Sequence, residues 1–307
     1  MENCIIIGGS GFFGMNLAKA LSDAGHIVTI ADIAPPVGKS KLKNVKFQKI
    51  SYFDSNTLKD LLEGQNILYH FAYSSLPGTS YEKMEEDIAQ NVAYSISLFK
   101  AAVKSKVEKI IFPSSGSTVY GETTMLPIKE TAETNPICSY GITKLMIEKY
   151  LYMFNKLFGI DYLIYRISNA YWPGQNPNGQ QGLIANVLGK LIRSQKINIY
   201  GDGDTIRDYV YIDDVTRAFV EGIDDRVKND IFNIGTGEGY SVNEIINTCL
   251  NIIGKKPDVE YLPKRDIDIR LNILDSTKIK SLIEWNPNTD ICDEIKKAYE
   301  WVKGNLK

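Results

Sequence analysis

The sequence predicts an α/β chain built on a doubly wound, mostly parallel sheet, with a smaller α/β lobe toward the C-terminus. Three observations carry this. Short apolar runs alternate with helix-period segments through the first half. A glycine-rich turn joins the first run to the first helix. After Arg166 the texture changes, with a stretch at 172–181 rich in Gly, Pro, Asn and Gln, followed by shorter strands and three helices.

Taken in order, residues 4–7 read as a short buried strand. Phe13, Leu17, Ala20, Leu21 and Ala24 then recur at helical spacing, and Gly25 is placed to end that helix. Further strands are expected at 26–31, 45–50, 67–71, 109–112 and 162–167. The helices between them are expected at 57–63, with Asp54 near the start as a cap, and at 88–105 and 140–158. Beyond the loop at 172–181 the pattern predicts a helix at 183–193, strands at 197–200, 209–212 and 231–234, and helices at 241–253 and 293–302. The first lobe is expected to span 1–170, with the chain returning to it near 205–236, and 171–307 mainly to form the second.

Composition excludes several function classes. The chain has 307 residues, 23% of them charged, and a formal net charge of −2, which gives no reason to expect a nucleic acid or an anionic membrane as partner. Cys4, Cys138, Cys249 and Cys292 lie far apart with no CxxC spacing, so neither a disulfide framework nor a zinc site is indicated. With His26 and His70 alone, a His-based metal site or a Ser–His–Asp triad is hard to assemble, and no metal is expected. No signal peptide and no run of membrane-spanning length is read, so the expectation is a soluble, cytoplasmic protein.

The chemistry begins at Gly8-Gly9-Ser10-Gly11-Phe12-Phe13-Gly14. Glycines three apart allow a tight turn, close approach of the backbone to a pyrophosphate, and packing of helix on strand, while the helix N-terminus faces the phosphate charge. Asp32 stands at the end of the second strand, where a carboxylate can accept both ribose hydroxyls and repel a 2′-phosphate. Ile33 follows it rather than Arg or Lys, which favours NAD over NADP.

Tyr140 and Lys144 are spaced to share one helix face, so an ammonium can sit beside a phenol and bias it toward phenolate. Such spacing is cheap in a chain with 18 tyrosines, and Tyr152–Lys156 repeats it. Position separates them: Tyr140 opens its helix near the strand ends, whereas Tyr152 lies about 18 Å further along and roughly 120° around. The loop Phe112-Pro113-Ser114-Ser115-Gly116-Ser117-Thr118-Val119-Tyr120-Gly121 leaves a strand end and offers hydroxyls to a substrate oxygen.

Together these segments resemble the extended short-chain dehydrogenase/reductase family, in its nucleotide-sugar epimerase/dehydratase branch. Beside the glycine turn and the Tyr-x-x-x-Lys pair stand Arg166-Ile167-Ser168-Asn169, Ile199-Tyr200-Gly201-Asp202-Gly203, Arg207-Asp208-Tyr209-Val210 and Phe232-Asn233-Ile234-Gly235, then Arg265, Asp268 and Asp275, all in the family's order. The resemblance implies a Rossmann-like fold and bound NAD. It places Gly8, Gly11, Phe12, Phe13, Gly14, Asp32, Ser51, Tyr52, Ala72, Asn91, Tyr140, Lys144 and Ile167 around the cofactor. It makes Ser115, Tyr140 and Lys144 catalytic, with Ser117 or Thr118 as substitutes for Ser115. It sets Ser115, Ser117, Tyr140, Asn169, Arg207, Arg265, Asp268 and Asn272 around a UDP- or GDP-linked sugar. Ser51 stands where the family often has an adenine-binding aspartate. Asn272 stands where a tyrosine is associated with exclusion of acetamido sugars, so its smaller side chain leaves room for one.

The implied activity is 4-epimerisation through a 4-keto sugar, with 4-dehydrogenation as the alternative and a non-catalytic NAD sensor as a third reading. A 4,6-dehydratase would need an Asp–Glu pair in the serine loop, and residues 114–118 hold no acid. The resemblance also implies a homodimer packed through the helices at 88–105 and 140–158. Direct titration should show NAD binding at least about tenfold tighter than NADP, and equal affinities would remove the role given to Asp32.

Overall fold

The computed structural model describes residues 1–36, 42–50, 55–171, 174–179, 181–254, 258–265 and 268–305. The chain begins β1 (Asn3–Ile7), α1 (Phe12–Asp23), β2 (Ile27–Asp32), β3 (Val45–Lys49), α2 (Ser55–Leu62) and β4 (Ile67–His70). A 3-10 turn (Ser80–Lys83) opens a helical run made of α3 (Met84–Asp87), a π-helical turn (Ile88–Ala93) and α4 (Tyr94–Lys104). There follow β5 (Lys109–Ser115), α5 (Ser139–Phe158), β6 (Asp161–Ile167), β7 (Asn169–Tyr171), α6 (Leu183–Ile192), β8 (Ile197–Tyr200), β9 (Ile206–Tyr211) and α7 (Ile212–Glu221). The chain closes with β10 (Asp230–Ile234), β11 (Gly239–Ser241), α8 (Val242–Ile253), β12 (Val259–Leu262), β13 (Leu271–Asn272), α9 (Thr277–Lys280) and α10 (Ile291–Asn305).

Seven strands form one sheet in the order β10-β6-β5-β4-β1-β2-β3, and β1 pairs in parallel with both β2 and β4. This is the doubly wound sheet the alternating pattern predicts. Its central strands are buried on both faces, which is why they read as unbroken apolar runs: Cys4, Ile5, Ile6 and Ile7 are all inaccessible to solvent. Strand order reverses between β1 and β4, and the carboxyl ends of strands at such a reversal are where ligands bind.

The chain divides into two compact units. The first comprises residues 1–119, 136–166 and 216–232; its core packs Ile5, Leu68, Phe99, Phe112, Ile147 and Phe154. Within it the buried Lys109 ammonium donates to the carbonyls of Gly222 (3.1 Å), Ile223 (3.1 Å) and Asp224 (3.0 Å), acceptors left over at the end of α7. The second comprises 120–135, 167–215 and 233–307, with a sheet of β11-β9-β13 plus β7 against β9, and a separate β12–β8 pair. Its core gathers Leu188, Tyr209, Ile245, Cys249 and Ile295.

The short strands β7, β11, β12 and β13 and the short helix α9 are not expected from the sequence pattern, and two longer elements differ from it. The strand expected at 209–212 runs Ile206–Tyr211, and a helix starts at once at Ile212, with Ile212, Val215, Ala218 and Phe219 on its buried side. Strand and helix meet without Gly or Pro between them, so the apolar run conceals the change of period. The helix expected at 88–105 starts earlier and is widened by the π turn, which carries Asn91.

A buried ion pair fastens α5 to the sheet. Arg166, on β6, gives Nη2 to Glu148 Oε2 at 2.7 Å and Nε to Oε1 at 3.1 Å, with both side chains almost inaccessible; Ser114, on β5, also donates to Oε1. Glu148→Gln should destabilise the protein by about 3–5 kcal/mol, because it leaves a buried guanidinium uncompensated, whereas the double change Glu148→Met with Arg166→Leu should recover most of the loss. Urea melts of the three proteins check this, and a double variant no more stable than the single would contradict it.

Candidate active site

The glycine turn is built by contacts that only glycine allows. Gly8 has φ +80°, and a Cβ there would lie 2.4 Å from the Ala72 nitrogen; a Cβ on Gly14 would lie 2.4 Å from the Cα of Gly9. These two contacts bring α1 against β1 and the segment after β4. Gly11 caps α1 with no side-chain hydrogen bond, and a Cβ there would meet only the Gly8 carbonyl at 3.8 Å, so the start of α1 has room beside the cap. Asp32 is buried at the end of β2, where Oδ2 accepts from the Ser10 amide at 2.9 Å. The expected ribose acceptor thus also fixes the turn that would hold the pyrophosphate. Phe12 and Phe13 stack edge to face at 5.0 Å at the start of α1, and Phe13 lies 6.1 Å from Phe71. A helix N-terminus with no side-chain cap, a carboxylate at the end of β2 and glycines that admit close approach fit a dinucleotide such as NAD.

Other predicted cofactor contacts are placed as follows. Ala72 is the buried neighbour of Gly8, and Ile167 ends β6. Asn91 accepts the Ser74 amide at 2.9 Å and donates to Asp87 at 2.6 Å, so its side chain shapes the loop after β4. Ser51 and Tyr52 lie outside the described residues, as does Asp54.

Tyr140 sits in the first turn of α5, where its amide donates to Ser80 Oγ at 3.1 Å. Lys144, one turn on, is almost fully buried and donates to the Pro113 carbonyl at 2.8 Å; its ammonium lies 5.6 Å from the Tyr140 ring centroid. Ser115 ends β5, buried, with Oγ 3.3 Å from that of Ser117. Ser114 is occupied by Glu148, and the buried Thr118 Oγ1 has no hydrogen-bond partner among the described residues. The second Tyr–Lys pair is elsewhere: Tyr152 is 52% exposed on the helix surface. His70 is buried against Phe112 with Nε2 2.7 Å from Ser95 Oγ, and burial pulls it down to about 3, so it stays neutral. Among the described residues no cluster of metal ligands occurs.

The second unit holds the other predicted residues. Asn169 on β7 donates to the Asp208 carbonyl at 3.0 Å. Arg207 on β9 donates to the Ile206 carbonyl at 2.9 Å, and the parallel pairing of β13 with β9 sets Asn272 beside it. Asn272 is fully buried. Arg265 makes a forked pair with Asp268, both contacts 2.9 Å, and lies over the Tyr200 ring at 4.5 Å. Burial lowers the pKa of Arg207, Asp268 opposes this, and Arg265 reinforces it, so the two guanidiniums feel one another.

The NAD dependent epimerase/dehydratase family model matches residues 4–235. The chain belongs to that family. UDP-glucose 4-epimerase of Lactobacillus helveticus is 32% identical to this family member, over 99% of this chain and 98% of that protein. A dTDP-4-dehydro-6-deoxyglucose reductase of Escherichia coli is 31% identical, over 97% of each. The crystal structure of UDP-glucose 4-epimerase from Thermotoga maritima with UDP-glucose matches at a TM-score of 0.92 and 33% identity, over 99% of this chain and 100% of that one. NAD is the cofactor of this epimerase-family enzyme.

Sequence reasoning missed the polar network under α5. Asp87 is buried and accepts from Ser75 at 2.8 Å, Asn91 at 2.6 Å and Ser139 at 2.6 Å, and Tyr73 bonds Thr143. In the sequence Asp87 closes the acidic run Glu85-Glu86-Asp87, which reads as a solvated face, so no pattern singles it out.

Burial pushes the Tyr140 phenol up, with Cys138 and Asp87 adding to it, and pulls Lys144 down to about 7 against the attraction of Glu148 and Asp87. For Lys144 the unfolded chain, with an ordinary amine near 10.4, binds more protons than the folded chain between about pH 7 and 10. Stability from this group thus rises with pH across that window, and below pH 7 its full penalty remains. Lys144→Met should raise the melting temperature most at pH 6 and progressively less toward pH 10. A gain independent of pH would contradict the buried, low-pKa ammonium.

Proposed function

We propose that this chain interconverts the C4 epimers of a UDP-linked hexose through a 4-keto intermediate. The observation that carries it is the Tyr140–Lys144 pair on α5, whose ammonium bonds the Pro113 carbonyl of β5, the strand that ends at Ser115 and opens a serine loop with no carboxylate. Without an acid at 114–118 the ketone has no partner for loss of water, which separates this reading from a dehydratase. Bound NAD supplies the acceptor and donor of the C4 hydride. Tyr140 takes the C4 hydroxyl proton as phenolate and returns it when the ketone is reduced on its other face. Lys144 holds positive charge beside the phenolate, and Ser115 keeps the C4 oxygen in line, with Thr118 the competing hydroxyl because its Oγ1 is buried and unbonded.

Arg207, Arg265 and Asn169 would hold the diphosphate and nucleoside, with Asp268 orienting Arg265. Asn272, buried beside Arg207, would line the sugar pocket and admit an acetamido group. A cytoplasmic homodimer fits the four free thiols and the apolar side chains exposed on α3, the π turn and α5: Met84, Ile88, Tyr152, Met153, Leu157 and Phe158. No described helix is long and apolar enough to cross a membrane. The Escherichia coli reductase among the relatives favours one second reading, reduction of a 4-keto sugar nucleotide.

A panel of UDP-, dTDP- and GDP-hexoses, plain and acetamido, should give C4-epimerised product by NMR with no net change in reduced nicotinamide. Stoichiometric oxidation or reduction would instead establish the second reading. Tyr140→Phe should cut turnover by about 10²-fold or more with NAD still bound, and Tyr152→Phe should leave it intact.

A further inference from the structure

We propose that Tyr73 is a positioning residue for the Tyr140–Lys144 pair: its ring face, with that of Phe112, forms an aromatic seat that holds the Lys144 ammonium charged beside the phenol. The proposal rests on the catalytic reading above only for its consequence in turnover, since the seat itself is a property of the folded chain.

Lys144 Nζ lies 3.9 Å from the centroid of the Tyr73 ring and 4.6 Å from that of Phe112, within the range where a ring quadrupole attracts a cation. One N–H is spent on the Pro113 carbonyl at 2.8 Å, which turns the remaining charge toward the rings. Tyr73 is itself held. Its hydroxyl bonds Thr143 and donates to the Tyr140 carbonyl at 3.3 Å, and its ring meets the Tyr140 ring edge to face at 5.1 Å. One side chain therefore touches the first turn of α5, the phenol ring and the ammonium.

The need for such a seat follows from burial. Lys144 is 4% exposed, and desolvation of an ammonium at that depth disfavours the charge that phenolate formation needs. The titratable groups that face it are few. Asp87 and Glu148 support the charge, but Glu148 is already shared between Arg166 and Ser114, and Asp87 already accepts from Ser75, Asn91 and Ser139. Tyr73, Tyr140 and Cys138 are neutral at working pH, their protons held on by burial. His70, which feels Lys144, is also neutral. Among the described residues, the ring faces and the Pro113 carbonyl support the cation without being shared with other charged donors.

The test compares Tyr73→Phe, which keeps the ring and loses the hydroxyl, with Tyr73→Leu and Tyr73→Met, which lose the ring. Lysines are reductively methylated with a carbon-13 label, and the Lys144 signal, assigned by its loss in Lys144→Met, is titrated by NMR in the chain without substrate. The ring-less variants should titrate about one pH unit lower than the native chain and Tyr73→Phe within about 0.3 unit of it. In turnover the alkaline limb of kcat should move down by the same amount in the ring-less variants alone. An unshifted Lys144 in both ring-less variants overturns the proposal, as does an equal shift in Tyr73→Phe, which would assign the effect to the hydroxyl bond. If one ring-less variant fails to fold, the other decides. A shifted titration with an unmoved kcat limb leaves the seat standing and removes instead the catalytic role of Lys144.

Discussion

Glu148 is the fixed point on which the site depends. It is reached from β6 by Arg166, from β5 by Ser114, and it stands one turn beyond Lys144 on α5. Those contacts lock the rotation and height of α5 against the strand ends. The Tyr140 phenol, the Lys144 ammonium and the Ser115 hydroxyl inherit their positions from that lock. The pair is buried, and a buried pair of this kind is a weak source of net stability, since desolvation offsets most of its attraction. Its effect here is geometric: three elements are held to one register, and any slip leaves a charge unmatched.

Around this lock the first unit accumulates groups that burial disfavours. Lys144, Asp87 and Asn91 are drawn out of water into a network in which Lys144 donates to the Pro113 carbonyl and Asp87 accepts from Asn91 and Ser139. Such networks are stable only when fully satisfied, so they define one arrangement strictly. The chain accepts the cost where chemistry demands it and keeps other central strand positions apolar, as at Cys4–Ile7 of β1. In the second unit the arrangement is looser: Arg265 and Asp268 are partly exposed and paired with each other, suited to a ligand that arrives from solvent.

Much of this is legible in the sequence. The sheet follows from apolar runs that can only be strands buried on both faces, and the glycine turn from a local need for positive φ and close approach at Gly8 and Gly14. The Tyr140–Lys144 pair was separable from Tyr152–Lys156 because only the first opens a helix at a strand end. What stayed hidden depends on distance in space. Tyr73 follows β4 and meets Lys144 only once β4 and β5 are neighbours in the sheet. Asp87 lies far from Ser139 along the chain, yet donors converge on it from three segments. Helix α7 was missed where β9 flows into it without punctuation, although Asp213 and Asp214 in its first turn were a readable sign.

The division of the chain carries a further consequence. It passes between the two units at 119/120, 135/136, 166/167, 215/216 and 232/233, so neither unit is a continuous stretch of sequence. No single cut yields an autonomous module, and neither unit can be exchanged as a block by recombination at one joint. During synthesis the first unit lacks residues 216–232, and with them the carbonyls that Lys109 binds, until most of the chain has left the ribosome. New substrate preference in such an architecture has to come from point substitutions and loop changes in place, because the gene offers no seam along which to graft another lobe.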